Sequence, residues 1–246
     1  MMDKIYTVCF LLVSITVFSQ SEKEVKNQQI VWYTYNISWK LNNNWQQITD
    51  VSERQFINPT AQHLWSIRTI FKRGINNNWD LGFGGSLFIR KLNDPYKTSQ
   101  LIVPELRPHI EFNNTQIVGF GILNSRYRIE ARLYQNTKDG ALSDGYYFNN
   151  FRFRYLLGWT FPIIKNKSSS TESVFVKIQD EIMVNAGSKI VRNTFDQNRI
   201  YFALNYKISN KFSIETGYLN SFQQQPSGDE FLNRNILRLT VFQKID

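Results

Sequence analysis

From Ile30 to its end the chain is written in period two: apolar and polar residues alternate singly in short runs, and turn-forming clusters separate the runs. Such a period puts successive side chains on opposite faces, which a strand does and a helix does not. Near the start, Val31, Tyr33, Tyr35, Ile37 and Trp39 oppose Thr34, Asn36, Ser38 and Lys40. Later, Tyr127, Ile129, Ala131 and Leu133 oppose Arg126, Arg128, Glu130 and Arg132. Phe151, Phe153, Tyr155, Leu157 and Trp159 share a face against Arg152, Arg154 and Gly158, and Ile200, Phe202, Leu204 and Tyr206 oppose Arg199, Asn205 and Lys207. No helical periodicity competes, and glycine and proline are scarce inside the runs. One all-β domain follows.

Eleven runs read as strands, at 30–40, 45–56, 61–73, 79–90, 100–112, 120–134, 146–160, 173–185, 197–208, 211–222 and 233–244. The run 45–56 is polar on both faces and the least regular. Asn42-Asn43-Asn44, Asn58-Pro59, Asn76-Asn77-Asn78, Asn113-Asn114, Ser168-Ser169-Ser170, Ser209-Asn210 and Pro226-Ser227-Gly228 supply the turn chemistry between them. Gly82-Phe83-Gly84-Gly85 belongs to a strand, where small residues relieve crowding or mark a bend.

The N-terminus bounds the compartment. Lys4 precedes an apolar run from Ile5 to Phe18, and Ser19-Gln20 and a charged stretch follow. A lysine, a short apolar core and a small residue at the cut make a secretory signal peptide, 1–19, ahead of a mature domain, 20–246. The run is shorter than the roughly 18 residues of a spanning helix. Cys9, the single cysteine, falls inside this segment, so the mature chain has no thiol for a disulfide or a metal.

Alternation leaves open which face turns inward. A soluble sandwich buries its apolar face, whereas a membrane barrel turns it to lipid. Three features choose the barrel. Many runs exceed the ~9–11 residues that cross a bilayer at a tilt. Trp32, Trp39, Trp45, Trp79, Tyr134, Tyr146, Tyr147 and Trp159 gather near strand ends as interfacial girdles do, with aromatics at 15% of the chain. The chain also finishes on an alternating last strand, Leu239-Thr240-Val241-Phe242, like the carboxy-terminal signal of outer-membrane proteins. Connectors at 41–44, 74–78, 113–115 and 209–210 are short, and those at 91–99, 135–145, 186–196 and 223–232 are longer, as periplasmic turns and external loops would be; 161–172 breaks the pattern. The expected fold is therefore an all-β, transmembrane, antiparallel up-and-down barrel. Because bacterial barrels have even strand numbers, the expected count is 12, with 10 as the alternative.

The run Arg126-Tyr127-Arg128-Ile129-Glu130-Ala131-Arg132 resembles the R-Y-R-x-E-x-R core of the domain-of-unknown-function family numbered 2490, a group of predicted outer-membrane proteins. Phe151-Arg152-Phe153-Arg154-Tyr155, Gln179-Asp180-Glu181-Ile182, Phe195-Asp196-Gln197-Asn198-Arg199-Ile200-Tyr201 and Glu215-Thr216-Gly217-Tyr218-Leu219-Asn220 resemble its other blocks. The resemblance implies an exported barrel and no particular activity.

The residues that stand out are charges at alternate positions. Glu105, Arg107, Arg126, Arg128, Glu130, Arg132, Arg152, Arg154, Glu181 and Arg199 form the candidate site, with Glu111, Glu215 and Arg238 on the same faces. Turned inward, they make a cross-strand lattice that fills and stiffens a narrow lumen, or an anion-preferring constriction. The two histidines are weak catalysts on paper. His109 shares its face with Glu105, Arg107 and Glu111 and reads as a structural hydrogen-bonder; His63, near a strand end, reads as exposed. No serine sits in a nucleophile motif, and Asp139, Asp144 and Asp229-Glu230 lack the spacing of a calcium loop. No catalytic residue, metal or cofactor is expected. The net charge of +9 is dispersed, which argues against nucleic acid and for anionic lipopolysaccharide, outer-membrane lipid and small solutes as counterparts, with the barrel-assembly machinery as the insertion partner. A structural or solute-passage role in the envelope follows; the alternatives are a lipid-modifying enzyme and a surface-binding module using loops 91–99, 135–145 and 223–232.

Overall fold

A computed structural model describes residues 23–91, 93–96, 101–165 and 172–245. The 1–19 segment lies outside the described residues. Each of the eleven period-two runs forms a strand: β1 Glu24–Lys40, β2 Trp45–Phe56, β3 Ala61–Gly74, β4 Trp79–Arg90, β5 Glu105–Val118, β6 Gly121–Lys138, β7 Ala141–Lys165, β8 Glu172–Ala186, β9 Phe195–Lys207, β10 Phe212–Gln224 and β11 Glu230–Ile245. Consecutive strands pair antiparallel, as in Ile129 opposite Phe153 and Glu130 opposite Arg152 between β6 and β7. The barrel closes where β1 pairs with β11 in parallel, from Glu24 beside Glu230 to Trp39 beside Ile245.

Among the described residues the count is thus eleven, not twelve or ten. An odd ring of alternating strands leaves the first and last pointing the same way, and a parallel ladder satisfies both edges as completely as an antiparallel one. The even count assumed that both chain ends lie at one end of the barrel. Instead the amide of Glu24 bonds to Asp229 at the β10–β11 connector, while that of Lys244 bonds to Lys211 at the β9–β10 turn, at the opposite end.

Three connectors differ from the sequence reading. Residues 135–145 are no loop: β6 and β7 continue to a two-residue turn at Asp139-Gly140, both at positive φ (51° and 77°), the conformation whose twist suits a tight hairpin. Asn113-Asn114 lies within β5, and the turn comes at Gly119-Phe120, with Gly119 at φ 59°. The long connector at 161–172 shortens because β7 runs on to Lys165, opposite Glu172. The turns at 41–44 and 75–78 are one motif used twice. Asn42 Oδ1 accepts from the amides of Asn44 and Trp45, and Asn76 Oδ1 accepts from those of Asn78 and Trp79, all at 2.9 Å.

Burial is inverted relative to a soluble domain. On the outer face Tyr33, Val51, Ile67, Phe83, Ile110, Tyr127, Phe153, Ile182, Phe202, Ile214 and Leu237, one from each strand, are 40–50% exposed. The inner face is mostly polar, but it carries an apolar cluster of Ile30, Trp32, Phe56, Tyr201, Ala203, Leu219 and Ile236 and the separately buried Leu64, Ile70, Met183 and Leu232. Trp32 therefore belongs to the interior and not to an aromatic girdle. Gly84 marks the tightest strand contact: a Cβ there would lie 2.1 Å from the Thr69 carbonyl oxygen, whereas one on Gly85 meets nothing.

Candidate functional site

Strands β5 to β9 are neighbours in the barrel, and each buries at least one charged side chain on its inner face. Side chains on a concave wall converge, so a guanidinium reaches the carboxylate directly opposite, as Arg128 does Glu111, or one a rung away, as Arg154 does Glu130. Glu105 receives Arg107 as a two-pronged fork, Nε to Oε1 and Nη2 to Oε2, both 2.7 Å, and also Arg132. Arg107 Nη1 lies 3.7 Å from Glu130, whose Oε1 accepts from Arg154 Nη1 at 2.6 Å and lies 3.5 Å from Arg128 Nη1. Arg154 Nη2 donates at 2.8 Å to both oxygens of Glu181, which also takes Arg126 Nη2 at 2.6 Å and has Arg199 Nη1 at 3.7 Å. Arg128 Nε donates to Glu111 at 2.7 Å, and Lys72 of β3 stands 3.4 Å from the same carboxylate.

Nine of the ten residues singled out in the sequence thus join one continuous network, from Glu105 to Arg199. The tenth, Arg152, is held by Asp196 at 2.9 Å. The R-Y-R-x-E-x-R segment is the middle of this network, because its alternate residues Arg126, Arg128, Glu130 and Arg132 are the inward ones. Charge-assisted forks of this kind are short and directional. Their net contribution is modest, since removing each ion from water offsets most of the attraction; what is costly is to leave one partner behind.

Several interior charges escaped the sequence reading. Asp196 was assigned to a loop, although β9 begins at Phe195. Asp50 and Arg68, paired through Arg68 Nε at 2.7 Å, sit on β2, the run polar on both faces, and on its neighbour β3. Lys177 pairs with Glu215, whose other oxygen accepts from Tyr201 Oη at 2.9 Å. His109 is buried and its Nδ1 donates to the Arg107 carbonyl at 3.2 Å, a structural hydrogen bond. His63 corrects the expectation of an exposed residue: it is 2% exposed and packs its ring against Phe56, centroids 4.7 Å apart. Among the described residues no group of three or more His, Cys, Asp or Glu is placed to hold a metal ion.

The barrel holds a cavity of about 390 Å³, one wall of which is formed by the network residues Arg107, Arg126, Arg154, Glu181 and Arg199. Twelve of its lining residues are arginine or lysine and four are aspartate or glutamate, so the cavity is electropositive. His63 and Trp32 also line it.

No curated protein and no solved structure matches the chain. A family profile described as a protein of unknown function, DUF2490, matches residues 29–232, a span that takes in every residue of the network. With most of its length so matched, the chain belongs to that family.

Proposed function

We propose that this protein is an outer-membrane barrel of a Gram-negative envelope, exported by segment 1–19, whose charge network braces the lumen and leaves a basic passage or chamber for small solutes. The observation that carries this reading is the inverted burial. Eleven strands each expose apolar side chains outward while ion pairs fill the inside. In water such a continuous apolar belt would drive aggregation; in lipid it is the stable arrangement. Every strand has at least 12 residues, above the ~9–11 that span a bilayer. Aromatics collect at the short-turn end, where Phe120 packs on Trp159 and Phe161 at 5.1 and 5.4 Å and Trp45 and Trp79 close the two matching turns. Eleven strands lie between the eight whose interior side chains fill and the sixteen or more that leave an open channel, so interior side chains decide how open this lumen is. On this reading its partners are outer-membrane lipid, lipopolysaccharide and the barrel-assembly machinery.

Labelling tests the orientation. The mature chain has no cysteine of its own, so single replacements report cleanly. Tyr127→Cys and Phe153→Cys are expected to react with lipid-soluble thiol reagents in intact membranes. Arg128→Cys and Arg154→Cys should react only with small water-soluble reagents or stay unreactive. The opposite pattern would mean a soluble β protein.

The parallel closure makes a second prediction. With the short turns periplasmic, the Glu24 end of β1 faces outward and the Ile245 end of β11 faces the periplasm. An epitope placed just before Glu24 should be detected on intact cells, and one after Asp246 only after permeabilisation. Two tags on one side would contradict an odd strand count.

A further inference from the structure

Trp32 is flanked on the inner wall by two arginines that share its rung. Arg54 of β2 is its register partner on one side and Arg238 of β11 on the other, across the parallel seam. Their guanidinium carbons lie 3.6 and 4.6 Å from the indole centroid, and Arg199 of β9 approaches the same ring at 5.8 Å. The Nε–H groups of Arg54, Arg199 and Arg238 are buried and have no acceptor. Among the described residues no carboxylate lies within 4.0 Å of Arg54 or Arg238; Arg199 has only the 3.7 Å approach to Glu181. Asp50 and Glu215, the acids that feel the charge of Arg238, are already engaged by Arg68 and by Lys177 and Tyr201. The charges acting most strongly on Arg54 all belong to other arginines, Arg199, Arg90, Arg234 and Arg238. Arg234 itself has, among the described residues, only amide oxygens for hydrogen-bond partners, those of Gln28, Gln223 and Asn93 at 2.8–3.0 Å.

This part of the lumen, which meets the network at Arg199, therefore differs from it in the balance of charge. There every carboxylate is shared among cations. Here cations converge on the 390 Å³ cavity with three Nε donors left over and, among the described residues, no free carboxylate oxygen beside them. The leftover donors of Arg126 and Arg152 instead stand among carboxylates, of which Glu130 and Asp196 each keep one oxygen without a hydrogen bond. Buried donors without acceptors and like charges without counterions are both costly, and one ligand relieves both. It must be anionic, present several acceptor oxygens to guanidinium forks, and be small enough for the cavity, whose volume lies in the range of small-molecule sites.

We propose that the Trp32–Arg54–Arg238 face of the lumen, completed by Arg199, is a binding site for a small, multiply charged oxyanion, a phosphate- or carboxylate-bearing solute. Trp32 holds the two flanking guanidiniums by stacking on them, which orders their N–H groups before the anion arrives. The site rests on the barrel reading for its place in a passage, but the binding itself does not require a membrane.

The test uses the refolded mature protein in detergent, with sodium phosphate titrated against sodium chloride at constant ionic strength. Tryptophan fluorescence should change saturably with phosphate and not with chloride, and Trp32→Phe should abolish the change. Arg54→Gln with Arg238→Gln should weaken phosphate binding at least tenfold, while Arg73→Gln, on the outer face, leaves it unaltered. Should the double variant not refold, Arg54→Gln alone is read, with a weakening of at least threefold expected. A wild-type response equal for the two salts, or one untouched by Trp32→Phe and the arginine changes, overturns the proposal. The slower migration of boiled protein on gels reports the barrel separately, and a detergent-free soluble protein that still binds phosphate would defeat the membrane reading alone.

Discussion

Replacing Glu181 by glutamine is expected to destabilise the barrel by about 3–5 kcal/mol, the usual cost of removing one partner from a buried ion pair. Glutamine keeps the shape and one acceptor but removes the charge that three guanidiniums share. Arg154 retains Glu130 at 2.6 Å, but Arg126 has no other carboxylate within ion-pair distance among the described residues, and Arg199 keeps only Gln197 at 3.2 Å. Two cations would then stand in a low-dielectric interior with their counterion gone. The loss is a large share of the roughly 5–15 kcal/mol that holds a typical domain together. Denaturant unfolding of the refolded protein measures it. A double-mutant cycle with Arg126→Met identifies the cause: if Glu181 acts through the network, the double variant should recover about 0.5–3 kcal/mol relative to the sum of the single changes. Additive effects, each within about 0.5 kcal/mol of zero, would mean that the inward charges are solvated and independent.

The fold was legible because period two is a local property. A strand must send alternate residues to opposite faces whatever surrounds it, so all eleven runs, including the irregular 45–56, correspond to strands. What a local pattern does not carry is closure. Nothing within any run says whether the last strand meets the first in parallel or antiparallel fashion, and an even-number rule imported from other barrels overrode a direct count of eleven. Turn chemistry misled at specific residues. Asparagine at 113 and 114 suggested a turn, but in β5 the Asn113 side chain reaches Asp80 at 2.7 Å and Glu111 at 3.0 Å. Asp139-Gly140, a strong hairpin signal, was absorbed into a supposed loop. The interior was legible where alternation is sharp: Arg126 to Arg132 and Arg152 to Arg154 share faces in the sequence, and those faces turn inward. It was illegible on the N-terminal strands. Arg54 stands in a run polar on both sides, and Trp32 reads as an interfacial aromatic until its two arginine neighbours, 22 and 206 residues away in sequence, are brought beside it by β2 and β11.

Introducing arginine at both Tyr127 and Phe153 is expected to abolish assembly into the membrane. The two side chains lie on neighbouring strands of the outer face, 48% and 40% exposed, with Tyr127 stacked near Tyr155 at 5.0 Å and Trp79 at 6.5 Å. At mid-bilayer an outward arginine costs about 2–4 kcal/mol, so two cost roughly 4–8 kcal/mol, comparable to the whole stability of a small domain. In water the same changes would lose a cross-strand aromatic contact, about 0.2–1 kcal/mol, and gain solubility. Environment, not the barrel's own packing, therefore sets the size of the effect. Gln243→Arg is the matched control: Gln243 is on the outer face near the end of β11, where Tyr35 Oη donates to it, and close to an interface an arginine costs only about 0–1 kcal/mol. Recovery of each variant in the outer-membrane fraction, and refolding yield into phospholipid vesicles, should fall for the double variant and hold for the control. If Tyr127→Arg with Phe153→Arg assembles as well as Gln243→Arg, the aromatic belt does not face lipid, and the membrane reading falls.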